Sequence, residues 1–176
     1  MPFFSKRRTV RLSQHRTADS PLGPIRISYD GWPAVIALVQ GPGMPPVTVR
    51  PGREHGHIKV DGQVIPARRG SDSRWALRRR TRTRTAVVGA RTYELRPTSL
   101  CRARLLRNGT PIAEAHGTLG AYGPLRTIPG IDARLTWSHG LDAYDVAIGQ
   151  AMVVAFGAGA PGALASLVSF WLDVIS

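Results

Sequence analysis

Cysteine is nearly missing from this chain of 176 residues: Cys101 stands alone, so no intrachain disulfide can form and nothing points to an oxidising compartment. Acidic side chains are also scarce, 11 Asp and Glu against 24 Lys and Arg, and none are paired at a spacing suited to acid/base work. No enzyme is expected on that ground. His55 and His57 in "EHGH" could share one face of a strand, but no third ligand is placed beside them, so neither a metal nor a cofactor is expected. The first residues, "MPFFSKRRTVRLSQHRTADSPLG", carry a basic cluster without the apolar core of a secretory signal. They read as a basic flexible arm over 1–23, leading into a single domain over 24–176, with a cytoplasmic address.

What is present begins with strands. From Pro24 to Ser138, short apolar alternations are broken by Gly, Pro, Asn and Asp at intervals close to those of an all-β domain. In "HIKVDGQVI" the pair Asp61-Gly62 separates Ile58–Val60 from Gln63–Ile65, and in "LCRARLLRNGTPIAEA" the pair Asn108-Gly109 separates two further runs. Both dipeptides supply the positive φ that a type I′ hairpin turn requires. Further strands are predicted at Ile25–Tyr29, Ala34–Val39, Val47–Arg50, Arg74–Arg80, Arg82–Val88, Thr92–Arg96 and Asp132–Ser138. In the last of these Ala133, Leu135 and Trp137 face one way while Asp132, Arg134, Thr136 and Ser138 face the other. Cys101 alternates with Ala103 and Leu105, the position of a small buried apolar residue.

Beyond Ser138 the composition changes. No Lys or Arg occurs after Arg134, and no charge at all lies between Val146 and Leu172. A continuous helix over that run would be about 40 Å long, enough to cross a hydrocarbon core of about 30 Å. The sequence argues against continuity. In "GAGAPG", Gly157, Gly159 and Gly162 each cost about 1 kcal/mol relative to alanine in a helix interior, and Pro161 costs about 3 kcal/mol. The spacing predicts one helix from Ala143 to Phe156 and another from Pro161 to Val174. Asp142 is the expected N-cap and Asp145 the N3 carboxylate, with Leu141 and Val146 at the positions of a hydrophobic staple. The first helix is apolar or small all round after Asp145 except for Gln150, as a fully enclosed helix reads, whereas the second is amphipathic. "GAGAPG" also fits the G-x-G-x-x-G pattern, but the stretch from Ala163 to Ser176 is too short for the returning strand of a dinucleotide unit.

About nine predicted strands leading into "LDAYDVAIGQAMVVAF" resemble the tubby-like superfamily, which includes tubby, the LURP-one-related proteins and the phospholipid scramblases. The resemblance covers 24–138 and that helix. It implies an antiparallel β-barrel enclosing a hydrophobic C-terminal helix, and a phosphoinositide-binding or membrane-tethering role. The additional amphipathic helix at Pro161–Ser176 departs from the family, and the calcium-binding segment of scramblases has no counterpart here. No binding residue is carried across.

The densest charge lies in "SRWALRRRTRTRTAVV". On a strand, Arg78, Arg80, Arg82 and Arg84 project to one face at intervals of about 6.6 Å, with Thr81, Thr83 and Thr85 on the other. A row of guanidinium groups repels itself, and a polyanion would relieve that repulsion through bidentate contacts to phosphate oxygens. A solvated edge strand that resists aggregation accounts for the same pattern. Charge and pattern together predict a non-enzymatic basic domain, peripheral to the membrane, that docks on anionic lipid or another polyanion through these four arginines, assisted by Lys6, Arg7 and Arg8. Two alternatives stand beside it: nonspecific nucleic-acid binding, and a small tail-anchored membrane protein.

Overall fold

The computed structural model describes residues 12–30, 35–52, 56–70, 82–118 and 128–159. Strand formation obeys the alternation of apolar and polar side chains. Ile25 and Ile27, Val47 and Val49, and Ile58 and Val60 turn inward in pairs two residues apart, while Arg26, Thr48 and Lys59 between them turn outward. Six such strands, β1 (Gln14–Ala18), β2 (Ile25–Asp30), β3 (Ile36–Gln40), β4 (Val47–Arg50), β5 (His57–Val60) and β6 (Gln63–Ile65), form an antiparallel meander. The second meander comprises β7 (Ala67–Arg69), β8 (Arg84–Val88), β9 (Arg91–Pro97), β10 (Arg102–Arg107), β11 (Thr110–His116) and β12 (Arg134–Trp137).

Both predicted hairpins form. Asp61 and Gly62 take φ 47° and 85°, and Asn108 and Gly109 take φ 49° and 83°, the left-handed pair that matches the twist of the flanking strands. Val47–Arg50 is reproduced residue for residue, and the alternation expected around Leu135 and Trp137 holds, with Arg134 and Thr136 exposed.

Four expectations need correction or restriction. Residues 14–18, expected to belong to a flexible arm, form β1, whose side chains are nearly all exposed and give no apolar alternation. Its backbone pairing with β2, from Gln14 opposite Tyr29 to Ala18 opposite Ile25, supplies the order that its side chains do not signal. β7 has no counterpart among the expected strands, and the strand expected at Arg74–Arg80 lies outside the described residues, as does the helix expected from Pro161. Among the described residues no closed barrel is found: the hydrogen-bonded ladders form two six-stranded sheets. The outer strands of the two sheets are linked by side chains instead. Arg16 of β1 reaches Asp132 at 3.6 Å, and the Trp137 indole of β12 donates to the Asp19 carbonyl at 3.3 Å.

A single helix among the described residues, α1 (Ala143–Phe156), touches β3, β4 and β5 of the first sheet and β9 and β11 of the second. Its limits are those expected from the sequence. Asp142 and Asp145 form the capping box reciprocally, and Gly157, at φ 83°, donates its N–H to the Val153 carbonyl at 2.8 Å. The Gly52 N–H, from the loop after β4, donates to the Ala155 carbonyl at 3.2 Å and satisfies one more end group. At about 1.5 Å per residue α1 is about 21 Å long, and no helix among the described residues is long and apolar enough to cross a membrane.

Every residue of α1 from Asp145 to Phe156 is buried. Full burial of Ile148, Met152, Val153 and Val154 contributes about 1.5–3 kcal/mol per side chain, an upper estimate because unfolded chains already bury some surface. Close approach to the helix is obtained by glycine. A Cβ on Gly130, in the loop before β12, would lie 1.7 Å from the Val153 carbonyl oxygen, which belongs to the helix backbone and cannot swing away. Gln150 is the exception in this apolar surround: it is 1% exposed, and among the described residues neither its amide oxygen nor its amide nitrogen has a hydrogen-bond partner.

Two substitutions test this packing. Gly130→Ala is expected to lower stability by at least about 1–3 kcal/mol, read as a lower urea midpoint at unchanged slope; an unshifted midpoint would mean that the loop does not rest on α1. Gln150→Met keeps the volume and removes the unsatisfied amide, so it is expected to raise stability by about 1–2 kcal/mol, read as a higher urea midpoint.

Candidate functional site

The arginines divide between the two faces of the second sheet, and strand register decides the division. Arg84 pairs opposite Leu95, Ala86 opposite Tyr93, and Arg107 opposite Tyr93 on the other side, so Arg84, Arg107 and Tyr93 all point to the inner face. Arg91, two residues before Tyr93 on β9, lies on that face as well.

At one end of this inner face the side chains converge on Asp145, whose carboxylate is fully buried at the start of α1. Tyr93 donates its hydroxyl to Oδ1 at 2.9 Å, Arg91 reaches the same oxygen at 3.3 Å, and Arg107 donates to Oδ2. The Asp142 N–H also donates to Oδ2, at 3.2 Å, and Arg91 bridges to the Asp142 carboxylate. Four donors on two oxygens, together with the helix dipole, stabilise a carboxylate that would otherwise be costly to bury. Asn108 holds the surrounding hairpin in register: its side-chain carbonyl accepts from the Thr92 N–H at 2.8 Å, and its own N–H donates to the Thr92 carbonyl at 2.8 Å.

The protonation equilibria reflect these neighbours. Burial pushes the Tyr93 phenol up to about 12; its hydrogen bond to Asp145 acts the same way, and Arg91 opposes. Partial burial would raise the Asp142 carboxyl, but the Asp145 amide and the Arg91 guanidinium outweigh it and hold the group below the usual carboxylate range. The Asp61 carboxylate, accepting from the Tyr144 hydroxyl at 3.1 Å, keeps that phenol protonated to higher pH than usual. This cluster anchors the helix to β9 and β10.

The sequence-predicted anion site is only partly within the described residues. Lys6, Arg7, Arg8, Arg78 and Arg80 lie outside them. Arg82 is half-buried just before β8. Arg84 is the clear correction: it is 8% exposed, with its guanidinium 5.0 Å from the centroid of the Phe156 ring, so it does not stand on an outer basic row. The alternation is the expected one, but Arg84 lies on its inner side. Ala86, pairing with Tyr93 in the core, commits the same face of β8 to the interior, and Val87 is left exposed on the other. A cation over an aromatic face stabilises that buried position.

The outer face of the second sheet carries basic residues that no sequence motif singles out. Arg102 lies opposite His116, and His116 opposite Arg134, so these three form one row across β10, β11 and β12. One step along the strands, Arg104 lies opposite Glu114 on one side and Arg96 on the other. The alternation Arg102, Ala103, Arg104, Leu105 is a readable sign of outward-facing arginine; the pairing with β11 and β12 is not readable. Among the described residues there is no cluster of three or more His, Cys, Asp or Glu that could hold a metal ion.

Alkaline titration tests the Asp145 cluster. An unfolded tyrosine ionises near pH 10, whereas Tyr93 in the folded chain keeps its proton to about 12. The contribution of Tyr93 is therefore complete below about pH 10 and is lost as pH rises through about 12, an effect on the order of 2 kcal/mol. Urea midpoints are expected to fall over that window in the parent chain, and Tyr93→Phe is expected to flatten the profile. An identical alkaline fall in the variant would show that Tyr93 is not responsible.

No protein-family model, curated protein or solved structure matches this chain.

Proposed function

We propose that the chain is a non-enzymatic basic domain that docks on anionic membrane lipids at the cytoplasmic surface, with its two sheets wrapped as a barrel around α1 in the manner of the tubby-like superfamily. The observation that carries the docking is the outward charge of the second sheet. With Arg84, Arg91 and Arg107 spent in the interior, Arg68, Arg96, Arg102, Arg104 and Arg134 remain exposed on β7, β9, β10 and β12 against Glu94 and Glu114. A positive surface orients a protein toward a negative plane and draws it there at long range. The barrel reading is supported by the twelve strands among the described residues that precede a buried helix touching both sheets.

Lipid is favoured over nucleic acid by the fate of the aromatic residues. Tyr93, on β9 among the arginines of the second sheet, is fully buried and hydrogen-bonded to Asp145, and Phe156, beneath Arg84, is buried as well, so neither offers a face for a base to stack on. Arg78, Arg80, Lys6, Arg7 and Arg8, which lie outside the described residues, are proposed as lipid contacts on their charge and sequence pattern alone.

Sedimentation with phosphatidylcholine vesicles, with and without phosphatidylserine, tests the proposal. The full chain is expected to pellet only with the acidic vesicles. At about 1 kcal/mol per arginine near the surface, Arg78→Gln with Arg80→Gln is expected to weaken that binding by about thirtyfold. Equal pelleting with both vesicles would sink the electrostatic mechanism.

A further inference from the structure

The outer face of the second sheet contains two neighbouring rows of charged residues that are treated differently. In the row of Glu114, Arg104 and Arg96, each arginine has its own carboxylate: Arg104 binds Glu114 at 2.9 Å and Arg96 binds Glu94 at 2.6 Å. In the adjoining row of Arg102, His116 and Arg134, no side chain forms an ion pair or hydrogen bond with any described residue. The nearest acids are already engaged. Glu114, diagonal to both Arg102 and Arg134, is taken by Arg104, and Asp132, two residues before Arg134, is taken by Arg16. Arg102 and Arg134 carry the fixed charge of this row, one on each side of His116. The sheet therefore keeps an unrelieved positive row beside a neutralised one.

From this juxtaposition we infer that Arg102, His116 and Arg134 form a binding site for a single phosphomonoester group. Adjacent strands are about 4.8 Å apart, which places the two arginines about 10 Å from each other across His116. Both arginines are exposed and the histidine is half-buried between them. Two guanidinium forks can close on one tetrahedral anion from opposite sides, each with paired N–H donors, while the imidazole donates from below. A phosphomonoester fits better than a carboxylate or a phosphodiester because its second charge and three terminal oxygens match two forks and a third donor. The inference rests on the reading of this surface as an anion-docking face and adds which group it selects.

Amide NMR of the full chain titrated with inorganic phosphate and with phenyl phosphate tests it. Saturable shifts centred on Arg102, His116 and Arg134 are expected. Arg102→Gln with Arg134→Gln is expected to weaken binding at least tenfold, whereas Arg104→Gln with Glu114→Gln, which removes a neutral pair, leaves it unchanged. Absence of saturable shifts in this row, or equal binding by the Arg102/Arg134 variant, would overturn the inference. Vesicles of phosphatidylcholine with phosphatidic acid, compared with phosphatidylserine, separate the sources of the group. A preference for phosphatidic acid that the double variant loses identifies a lipid headgroup. Phosphate binding in solution with no vesicle binding leaves the site standing and removes the membrane reading, whereas phosphatidylserine docking that survives without phosphate shifts does the reverse.

Discussion

The buried carboxylate of Asp145 is the constraint on which the arrangement of the helix depends. α1 presents apolar or small side chains on all sides, so hydrophobic burial alone cannot choose its rotation about its own axis. A polar contact with fixed direction can. Asp145 accepts from Tyr93 and Arg91 on β9, from Arg107 on β10, and from the backbone of Asp142. Any other rotation would leave a carboxylate in the core without those donors, at a cost that exceeds the small differences among apolar packings.

The opposite end of α1 is held by backbone. Gly157 and Gly52 donate to the last turn, and the loop at Gly130 approaches the helix too closely for any side chain. One end is thus fixed by charge and the other by shape. Between them Gln150 brings an amide into the core, and none of the described residues meets it. Stability in this region comes from the ends and the apolar surround, with Gln150 working against it.

Arginine serves two purposes in the second sheet. Arg84, Arg91 and Arg107 face inward, over the Phe156 ring or onto the acids at the helix start, and belong to the fold. Arg96, Arg102, Arg104 and Arg134 face outward, and two of these four have a carboxylate of their own. Composition cannot distinguish the groups, since each residue carries the same charge. The surplus that matters for docking is what remains after these internal pairings.

Local features were legible in the sequence because their causes are local. The turns at Asp61-Gly62 and Asn108-Gly109 need only a residue pair that accepts positive φ, and the limits of α1 need only an acidic capping box and a glycine stop. The strand β1 was hidden because its order comes from pairing with β2, and the face of Arg84 was misjudged because period-two alternation fixes sides without naming them. The partners of Asp145, which lie 38 or more residues away in β9 and β10, were equally invisible. The sequence by itself determined element types, turn positions and helix ends, all properties of neighbouring residues. Only the tertiary structure decided which arginines are consumed in the interior and which form the row of Arg102, His116 and Arg134, because cross-strand register brings together residues that the chain keeps apart.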